Sequence, residues 1–529
     1  MQAPSGANPA NAEAASPRVT FRVDASVTIG TGHIMRCLTL ADALRGLSAD
    51  SSFLLGPGDP AWIELVRARG FQASSLSPEA RGNQPEHLWL PWGWEADATA
   101  TRAALRRGTD WLVVDHYALD ARWEQALRGD ARHILAIDDL GDRRHDADLV
   151  LDANLQAPAR YTGRVPARTR LLLGPAFALL QPGFARFRRI RTGEVRRMVV
   201  FMGGADAAGA TQAALNAIDL AGLRDLPLTV VTGAANPHLA ELRADIGMRP
   251  AALLEVDTPR MAELCDAADL AIGAGGVAAL ERCCQGLPSI TLATADNQKP
   301  GLDQLAEAGA VTLASEWRGD GTDAPRLAQL LAVTAGDQAV LRAMSLRALE
   351  ITDGLGARRV AASMMHLARA LILRDATEDD AAILHAWRNH PEVRAVSIDM
   401  REIPWSEHLV WFNQILADPA ANQVLLACLG SVPVGTLRSR REGDRAVLSI
   451  TTDPALRGLG LGQTLLRAGL ERLEAAPDAP AIFEARVLSS NGPSRAVFER
   501  AGFQALAAEG ALVLYTRSAR KGLPATILC

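Results

Sequence analysis

The chain has 529 residues, of which 48% are hydrophobic, and a formal net charge of -5 at pH 7. A chain of this length can bury sizeable cores and is long enough for about three domains. Acidic and basic residues are interspersed without a lysine or arginine tract, so nothing favours a nucleic acid or an anionic membrane as a partner. No apolar stretch is long enough to span a bilayer.

The cysteines and the N-terminal residues are typical of a cytoplasmic protein. Six cysteines are few for so long a chain, and they lack the spacing of metal ligands, so we predict neither a disulfide scaffold nor a metal site. They are Cys37, Cys265, Cys283, Cys284, Cys428 and Cys529. Residues 1–17 are rich in Ala, Pro, Asn and Ser and lack the basic start and apolar core of a signal peptide, so we expect a disordered tail.

The next two regions show the same alternation of apolar strands and helices. In residues 18–173 we expect strands at 19–23, 52–55, 111–114 and 133–137, with helices at 34–44 and 60–69. In residues 174–368 the strand candidates are RRMVVFMGG, LTVVTG, AALLEV, ADLAIGAGG and SITLAT. This pattern predicts an α/β fold with two parallel sheets in succession, which face each other across a cleft.

The last region, residues 369–529, has a different order of elements. Helical patterns come first, followed by QVLLACLGSVPVGTLRSR and DRAVLSITTDP as hairpin-like strands, and then by RGLGLG leading into an apolar helix. We therefore expect a third, separate domain here.

The segment VDASVTIGTGHIMRC follows the first strand and opens a helix. Gly30 and Gly32 allow backbone N–H groups to approach a ligand, and a helix N-terminus favours an anion. The same position disfavours a protonated imidazole, so His33 is suited to accept a proton. On these residues alone, a tight turn with a structural or substrate-contacting histidine remains an equal alternative to a general base.

The segment RVDASVTIGTGHIMRCLTLA resembles the opening motif of the UDP-sugar hydrolases of pseudaminic acid biosynthesis, which are related to the glycosyltransferase that adds GlcNAc in peptidoglycan assembly. Further similar motifs follow in order: VVDHYALDARWE, AIDDLGDRRHDADLVLDAN, LLLGPAFALLQPGF, FMGGAD, AIGAGGVAALERCCQGLPSITLATADNQ and DGLGARRV. Several motifs in order are more specific than any single one. The resemblance covers roughly residues 18–365 and implies two Rossmann-like domains in a glycosyltransferase-B-like arrangement.

The resemblance also implies roles for individual residues. His33 would deprotonate a water that attacks the anomeric carbon with inversion, and Asp24 would orient His33 or the substrate. The contacts implied for UDP and the sugar are Gly30, Gly32, Arg36, Tyr117, Gly203, Gly204, Val256, Gly275, Gly276, Glu281, Asn297 and Gln298. Among these, the 275–276 glycines would hold the diphosphate, Glu281 the ribose hydroxyls, and the backbone of Val256 the uracil.

Several of these residues have simpler interpretations. Taken alone, Glu281 is more typical of a solvated helix carboxylate, and an aspartate at the end of a strand, such as Asp24, is an ordinary turn former. The run Asp115, His116 and Tyr117 fits either a substrate-side cluster or a satisfied network at a strand end.

Two further pairs of residues are interpreted through the resemblance. Asp138 and Asp139 suggest a metal pair, but the family needs no metal, so we predict none. Val277 and Ala278 stand where relatives carry hydroxyl residues after the glycine pair. Backbone N–H groups would have to replace that phosphate contact.

The loop RGLGLG is suited to bind an anion at a helix N-terminus. Together with EARVLSSNGPSRAVFERAGF it resembles the acetyl-CoA motifs of GNAT acetyltransferases, and RDATEDDAAILHAWRNHPEVR with WSEHLVWF resembles the subgroup that acetylates a 4-amino sugar of the same pathway. The resemblance implies acetyl-CoA as co-substrate, held by Ile450, Thr452, Arg457, Gly458, Gly460, Leu461, Gly462 and Asn491.

The acid and base of this domain stay open. Most relatives carry a tyrosine where this chain has Phe498. Tyr515 is a weak candidate for the acid that protonates the thiolate, because a core or surface role fits it better. His408 is a candidate base or sugar contact, although a histidine on a helix face is more often structural.

The combined prediction is a bifunctional enzyme of pseudaminic acid biosynthesis. It would acetylate the 4-amino group of a UDP-sugar and hydrolyse UDP-2,4-diacetamido-2,4,6-trideoxy-β-L-altropyranose to the free sugar and UDP. The alternatives are a glycosyltransferase that uses a similar donor, and a UDP-sugar-binding module without catalysis. The expected partners are the small-molecule UDP-sugar and acetyl-CoA.

Overall fold

A computed structural model of the chain describes residues 16–26, 31–58, 60–78, 89–105, 108–155, 158–314, 317, 319, 322–368 and 371–519. The tail expected over residues 1–17 therefore lies outside the described residues apart from its last two positions. The chain divides into two compact units. The first holds Met1–Arg45 and Ala49–Val360, and the second holds Gly46–Ser48 and Ala361–Cys529.

The first unit begins with a sheet of seven parallel strands. They are β1 (Arg18–Val23), β2 (Asp50–Leu55), β3 (Gln72–Ser75), β4 (Thr109–Asp115), β5 (Ala131–Ile137), β6 (Leu149–Asp152) and β7 (Arg170–Leu173), and the helices between them are α1 (Gly32–Arg45), α2 (Pro60–Ala68), α3 (Trp94–Ala104) and α4 (Ala121–Ala126). The strand order is β3-β2-β1-β4-β5-β6-β7. Five of the six residues of β1 are buried, as expected for a parallel strand covered on both faces.

A second parallel sheet of six strands completes this unit. Its strands are β8 (Met198–Phe201), β9 (Leu228–Thr232), β10 (Ala252–Val256), β11 (Leu270–Ala274), β12 (Ser289–Leu292) and β13 (Thr312–Ala314). Its helices are α5 (Pro182–Arg186), α6 (Ala210–Leu220), α7 (Leu239–Gly247), α8 (Met261–Ala267), α9 (Val277–Cys284), α10 (Lys299–Glu307), α11 (Asp323–Gly336), α12 (Gln338–Ile351) and α13 (Gly356–Ala368), the last of which runs past the unit boundary. The order β10-β9-β8-β11-β12-β13 confirms the predicted pair of Rossmann-like sheets.

Both sheets reverse their strand order at one point. The reversal falls between β1 and β4 in the first sheet and between β8 and β11 in the second. The loops that leave the two central strands diverge there and open a crevice, which is where ligands bind in sheets of this kind. The motifs DHY, FMGG and GAGG lie at or directly after the carboxyl ends of β4, β8 and β11, and His33 of the GTGH motif lies at the start of α1, the helix that follows β1.

The second unit is built around one seven-stranded sheet. Its strands are β14 (Ile372–Asp375), β15 (Asn422–Leu429), β16 (Val432–Glu442), β17 (Arg445–Thr452), β18 (Ile482–Leu488), β19 (Gln504–Glu509) and β20 (Leu512–Ser518), and its helices are α14 (Ala381–Asn389), α15 (Pro391–Arg394), α16 (Trp405–Ala417), α17 (Leu461–Glu474) and α18 (Gly492–Arg500). The strand order is β14-β15-β16-β17-β18-β20-β19. The predicted hairpin strands are confirmed, and β14 precedes the helices as an additional edge strand. No helix within the described ranges is both long and apolar enough to cross a membrane.

A buried polar network ties α4 to the loop after β5. His145 lies between two carboxylates, with Nδ1 at 2.7 Å from Glu124 and Nε2 at 3.3 Å from Asp138, and all three side chains are buried. Burial alone would lower the pKa of His145, but its hydrogen bonds to Asp138 and Glu124 raise that pKa to about 9. The hydroxyl of Tyr161 is also within 3.1 Å of Asp138. A cationic imidazole therefore stabilises this part of the fold.

We expect this network to make stability depend on pH. A histidine whose pKa is raised on folding contributes fully below its ordinary pKa of about 6.5 and loses that contribution as the pH rises through about 9. Between these limits the shift corresponds to roughly 3 kcal/mol of unfolding free energy. Urea unfolding across this range should show the loss in the wild type and a flatter profile in His145→Gln. The control His238→Gln, at a partly exposed histidine, should leave the profile unchanged.

Candidate active sites

His33 and Asp115 meet at the reversal point of the first sheet. His33 is the second residue of α1, and Asp115 is the last residue of β4, the strand beside β1. Nδ1 of His33 lies 2.6 Å from a carboxylate oxygen of Asp115, and both residues are buried. Nδ1 also lies 3.1 Å from Arg36 Nη2, but the contact with Asp115 is shorter and an ionised carboxylate only accepts hydrogen bonds, so we assign the ring proton to Nδ1. No described residue forms a hydrogen bond with Nε2, whose lone pair is then available to a ligand.

Arg36, one helical turn after His33, holds the Asp115 carboxylate in place. Its Nε and Nη2 donate to the two oxygens of Asp115, each at 2.6 Å, and its Nη1 donates to Asp139 at 2.8 Å. Burial by itself would raise the pKa of Asp115, but the Arg36 charge, assisted by His33, holds that pKa well below its usual range. Asp115 is therefore a fixed anion that orients His33. The sequence motif was compatible with two interpretations of Asp115, a substrate-side cluster or a hydrogen-bonded network at a strand end, and the geometry favours the network.

Asp24 does not orient His33, which corrects one of the expectations for this residue. Its carboxylate accepts hydrogen bonds from Arg22 at 2.5 Å and from the backbone N–H of Gly56 at 2.6 Å. It also lies 3.2 Å from Nε2 of His116, whose Nδ1 accepts the N–H of Ala118. The Asp24 carboxylate is held by Arg22, by the N–H of Gly56 after β2 and by His116 after β4, and none of these contacts involves His33. A contact between Asp24 and the substrate stays a prediction.

The fully buried Arg22 lies at the centre of this second network. Its guanidinium binds Asp24 and also Asp97 of α3, with the closest approach to Asp97 at 2.6 Å. The indole N–H groups of Trp92 and Trp123 donate to Asp97 at 3.0 and 2.9 Å. Burial favours protonation of both carboxylates, but the Arg22 charge lowers the pKa of each. The network holds the ends of β1, β2 and α3 together below the crevice.

Tyr117 and Trp89 form an aromatic wall beside His33. The two rings stack with centroids 4.6 Å apart, and each meets the His33 ring edge-on, at 4.8 Å for Tyr117 and 5.9 Å for Trp89. Tyr117 was expected at the site, whereas no motif in the sequence pointed to Trp89. Gly32 has open space around the position of its missing side chain. Gly30, also predicted to contact substrate, lies outside the described residues.

The glycine pairs of the second sheet come close to this loop. Gly203 has φ +100°, and a Cβ on Gly204 would lie 3.8 Å from the hydroxyl of Thr31, next to Gly32. Gly276 has φ +69° and caps α9, whose first N–H groups have no partner within the helix. The N–H of Gly275 is instead taken by the side-chain oxygen of Gln298 at 3.3 Å. An anion at this position would therefore meet Gly276 and the start of α9.

The remaining contacts expected for the nucleotide lie along the second sheet. Glu281 is partly exposed on α9, receives no hydrogen bond from a described residue, and has its pKa raised to about 7 by burial despite the nearby Arg282 charge. Val256 ends the edge strand β10 and is half-buried. Asn297 lies in a short 3-10 turn with Gln298, and its side chain is outside the described part of the chain. Val277 and Ala278 open α9, where they offer backbone N–H groups only.

A cleft lies between the two sheets of the first unit. The helix and loops beside the first sheet contribute Arg36, Asp139 and Asn154 to its lining. The helix and loops beside the second sheet contribute Gly276, Val277 and Gln298. Asp138 also lines the cleft, but its carboxylate is bound by His145 and Arg143, whereas that of Asp139 is bound by Arg36. Among the described residues, no group of three or more His, Cys, Asp or Glu side chains has the arrangement of a metal site.

In the second unit, β17 and β18 separate and leave a slot in the sheet. They pair in parallel at only three positions, from Arg445 opposite Ile482 to Val447 opposite Glu484. Beyond Val447 each strand stays paired with its other neighbour, so the backbone groups of β17 that face β18 are left without a strand partner. An extended amide chain such as pantetheine can hydrogen-bond to such an edge. Ile450 and Thr452 lie in this open part of β17.

The RGLGLG loop closes one end of the slot. Gly458 and Gly460 have φ +79° and +81°, which favours glycine, and Leu461 opens α17. A Cβ on Gly462 would lie 3.7 Å from Thr452 and 4.0 Å from Ile450, so the loop and β17 border one space. The loop therefore presents a helix N-terminus to that space. Arg457 lies 3.4 Å from Glu392.

Other residues considered for this domain are engaged elsewhere. The side-chain oxygen of Asn491 caps α18 by accepting the N–H of Ser494. Phe498 is buried against Phe503. The hydroxyl of Tyr515 is hydrogen-bonded to Glu499 at 2.7 Å and the ring is buried, which favours a packing role.

His408 is likewise packed into the helices before the hairpin. It is buried among aromatic side chains, and its Nε2 donates to the backbone carbonyl of Ala381 at 2.9 Å. Burial lowers its pKa. These contacts favour the structural interpretation of this histidine.

Comparison with known proteins defines the class. Residues 370–504 match the Acetyltransferase (GNAT) domain family, so the second unit carries a GNAT domain, and acetyl-CoA is its co-substrate. The first unit has two Rossmann-like parallel sheets with a cleft between them. The crystal structure of Acinetobacter baumannii MurG aligns with a TM-score of 0.48 and 16% identity over 66% of this chain and 99% of that one.

The first part of the chain is a homologue of sugar-processing proteins. The UDP-2,4-diacetamido-2,4,6-trideoxy-β-L-altropyranose hydrolase of Campylobacter jejuni is 24% identical over 253 residues, which is 47% of this chain and 81% of that protein. The spore coat polysaccharide biosynthesis protein SpsG of Bacillus subtilis is 29% identical over 184 residues, or 34% of this chain. The matched segment spans about half of SpsG, 54% of its length. The protein thus joins a UDP-sugar hydrolase-like part to an acetyltransferase domain.

We expect the Arg22 network to be needed for the stability of the first sheet. Arg22→Met would leave two buried carboxylates without their cation, which typically costs about 3 to 5 kcal/mol. Chemical denaturation should show this loss. Arg18→Met changes an exposed arginine of the same strand and should alter stability by no more than about 0.5 kcal/mol. A loss in Arg22→Met no larger than that of the control would contradict the role given to this network.

Proposed function

We propose that the first unit hydrolyses a UDP-sugar and that His33 is its general base. The observation that carries the proposal is the hydrogen bond from His33 Nδ1 to Asp115, which leaves Nε2, beside the aromatic wall, without a hydrogen-bond partner among the described residues. This is the arrangement that a base needs when its second nitrogen is held by a carboxylate. The similarity to the Campylobacter jejuni hydrolase supports the same reaction.

In the proposed reaction, Nε2 removes a proton from water as the water oxygen attacks C1 of the sugar. The bond between C1 and the β-phosphate oxygen breaks, and the electron pair leaves with UDP. The imidazolium formed is stabilised by the fixed Asp115 anion and then returns its proton to solvent. Attack from the face opposite the leaving group inverts the configuration at C1.

The second sheet is suited to hold the leaving group. The diphosphate would lie at Gly276 and the start of α9, where unpaired N–H groups and the helix dipole stabilise the charge that grows on the β-phosphate. Glu281, one turn further on, has no protein donor among the described residues and would accept the ribose hydroxyls. The backbone at Val256 would bind the uracil. The sugar would extend toward the aromatic wall and Arg36.

For the second unit we propose N-acetylation of the 4-amino group of the precursor UDP-sugar. Acetyl-CoA supplies an acetyl thioester; the open edge at Ile450 and Thr452 would bind its pantetheine, and the glycine loop its pyrophosphate. The product would be the diacetamido sugar nucleotide that the first unit hydrolyses, in the pathway to pseudaminic acid. Because both co-substrates are cytoplasmic metabolites, we expect the protein in the cytoplasm.

The hydrolase proposal predicts that replacing either His33 or Asp115 lowers the rate of UDP release but leaves the affinity for UDP unchanged. His33→Gln should lower kcat for UDP release by about 100-fold or more, and Asp115→Asn should lower it by a similar order, because the tautomer of His33 is then no longer fixed. UDP affinity, measured by calorimetry, should stay within about 3-fold, since neither change touches the proposed nucleotide site. Asp110→Asn, on the same strand as Asp115 but bound by the backbone N–H of Arg18 and the side chain of Arg132, is the control and should keep full activity.

The products separate the proposal from its alternatives. A hydrolase forms free sugar from UDP-sugar in water alone, whereas a glycosyltransferase forms a glycoside and needs an acceptor alcohol. A binding module would retain affinity without UDP release, and His33→Gln would change nothing. Either of these results would reject the proposed reaction.

The acetyl-CoA slot is tested by filling it. Gly462→Leu would place a branched side chain against Ile450 and Thr452, and we expect the KM for acetyl-CoA to rise at least about 10-fold, because bulk at this position excludes the cofactor. Gly462→Ala is the matched control, since its Cβ would make only ordinary contacts of 3.7 Å or more. Thiol release would be followed with a chromogenic disulfide. Equal kinetics in both variants would place the cofactor elsewhere.

A further inference from the structure

Arg282 is a buried arginine that lies against the GAGG motif, Gly273–Gly276. It belongs to α9, and only 1% of its surface is exposed. Nη2 donates to the backbone carbonyl of Ala274 at 2.7 Å, whereas Nε and Nη1 are buried and have no hydrogen-bond partner in the described chain. No described carboxylate forms an ion pair with this guanidinium. Buried arginines are normally paired, because a lone buried cation costs free energy.

The guanidinium of Arg282 packs on the backbone that leads into α9. A Cβ on Gly273, near the end of β11, would lie 2.6 Å from Nη1. Arg282 lies in the second turn of α9, and helix side chains lean toward the helix N-terminus, so its side chain reaches back to this strand end. Gly276 caps the same helix, two residues after the bonded carbonyl of Ala274. The positive charge is therefore close to the backbone where the proposed function places the diphosphate.

The groups around Arg282 do not neutralise its charge. Although burial lowers the pKa of Arg282, a guanidinium stays protonated at neutral pH. Burial raises the pKa of the Cys265 and Cys283 thiols to about 12, so both stay neutral. Burial also raises the pKa of Glu281 to about 7, so this neighbouring carboxylate is only partly ionised near neutral pH. The field of the guanidinium therefore reaches the glycine loop, where the surrounding protein weakens it less than water would.

We propose that Arg282 is a positioning residue that increases the affinity for the diphosphate of a nucleotide without touching it. Its charge makes the backbone at Gly276 and the start of α9 more favourable for an anion, in addition to the helix dipole. Its hydrogen bond to Ala274 holds the loop in one conformation. The inference rests on the proposed function in placing the diphosphate at this loop. An anionic ligand there offsets the cost of burying an unpaired cation.

The affinities of UDP, UMP and uridine test this role, because the three ligands share the nucleoside and differ in negative charge. Calorimetry would measure UDP directly, and the weaker ligands would be measured by displacement of UDP. Arg282→Met removes the charge and should weaken UDP about 10-fold or more, UMP less than UDP, and uridine less than about 2-fold. Arg282→Lys keeps a positive charge and should bind UDP within about 3-fold of the wild type, because the charge acts on the ligand without contact.

Arg191→Met is the matched control for the removal of a buried arginine. Arg191 is buried to the same extent, but it donates to the carbonyls of Asp266 and Ala268, which precede β11 at the opposite end of that strand. This variant should keep the wild-type ratio of UDP affinity to uridine affinity, even where it lowers stability.

The outcomes separate this inference from the proposed function. An equal loss for all three ligands in Arg282→Met, or a loss of UDP affinity in Arg282→Lys as large as in Arg282→Met, would show a purely structural role and overturn the inference. UDP binding that Arg282→Met leaves unchanged would overturn this inference alone. A wild type that binds none of the three ligands would reject the nucleotide site of the proposed function as well.

Discussion

The geometry of the first site depends on one buried anion, Asp115. It accepts three hydrogen bonds of 2.6 Å, one from His33 and two from Arg36, at the end of a central strand. Burial opposes its charge, and the guanidinium beside it outweighs burial. Because an anion can only accept, it determines which nitrogen of His33 carries the proton and which is free. The tautomer of the proposed base is therefore a consequence of the Arg36–Asp115 pair.

Both units create binding space by interrupting a regular sheet. In the first unit, the strand order of each of the two sheets reverses at one point. Gly32 and the GAGG glycines follow the central strands at these points. In the second unit, β17 and β18 part after three paired positions and leave one strand edge open. An interruption supplies backbone N–H and C=O groups that the sheet itself does not use. Glycines are found there because backbone, and not side chains, must approach the ligand.

The sequence motifs predicted much of this arrangement, and the exceptions have physical causes. The alternation of strands and helices gave both Rossmann-like sheets, and His33 lies where its motif predicted. Of the two roles expected for Asp24, the orientation of His33 is wrong, because Asp24 is held by Arg22 and Gly56 while Asp115 contacts His33. The order places β4, and hence Asp115, beside β1. Trp89 had no sequence signal, since its stacking on Tyr117 joins segments that are distant in the chain.

By itself the sequence determined the kinds of elements, the two sheet regions, the glycine loops and the chemistry available in each domain. These follow from local periodicity and from residue types at short spacing, which are properties of neighbouring residues along the chain. Only the tertiary structure decided which carboxylate holds His33, that Arg36 joins Asp115 to Asp139, and that Gln298 takes the N–H of Gly275. Contacts of this kind depend on strand order and side-chain packing across long separations, for which a single sequence carries no local signal.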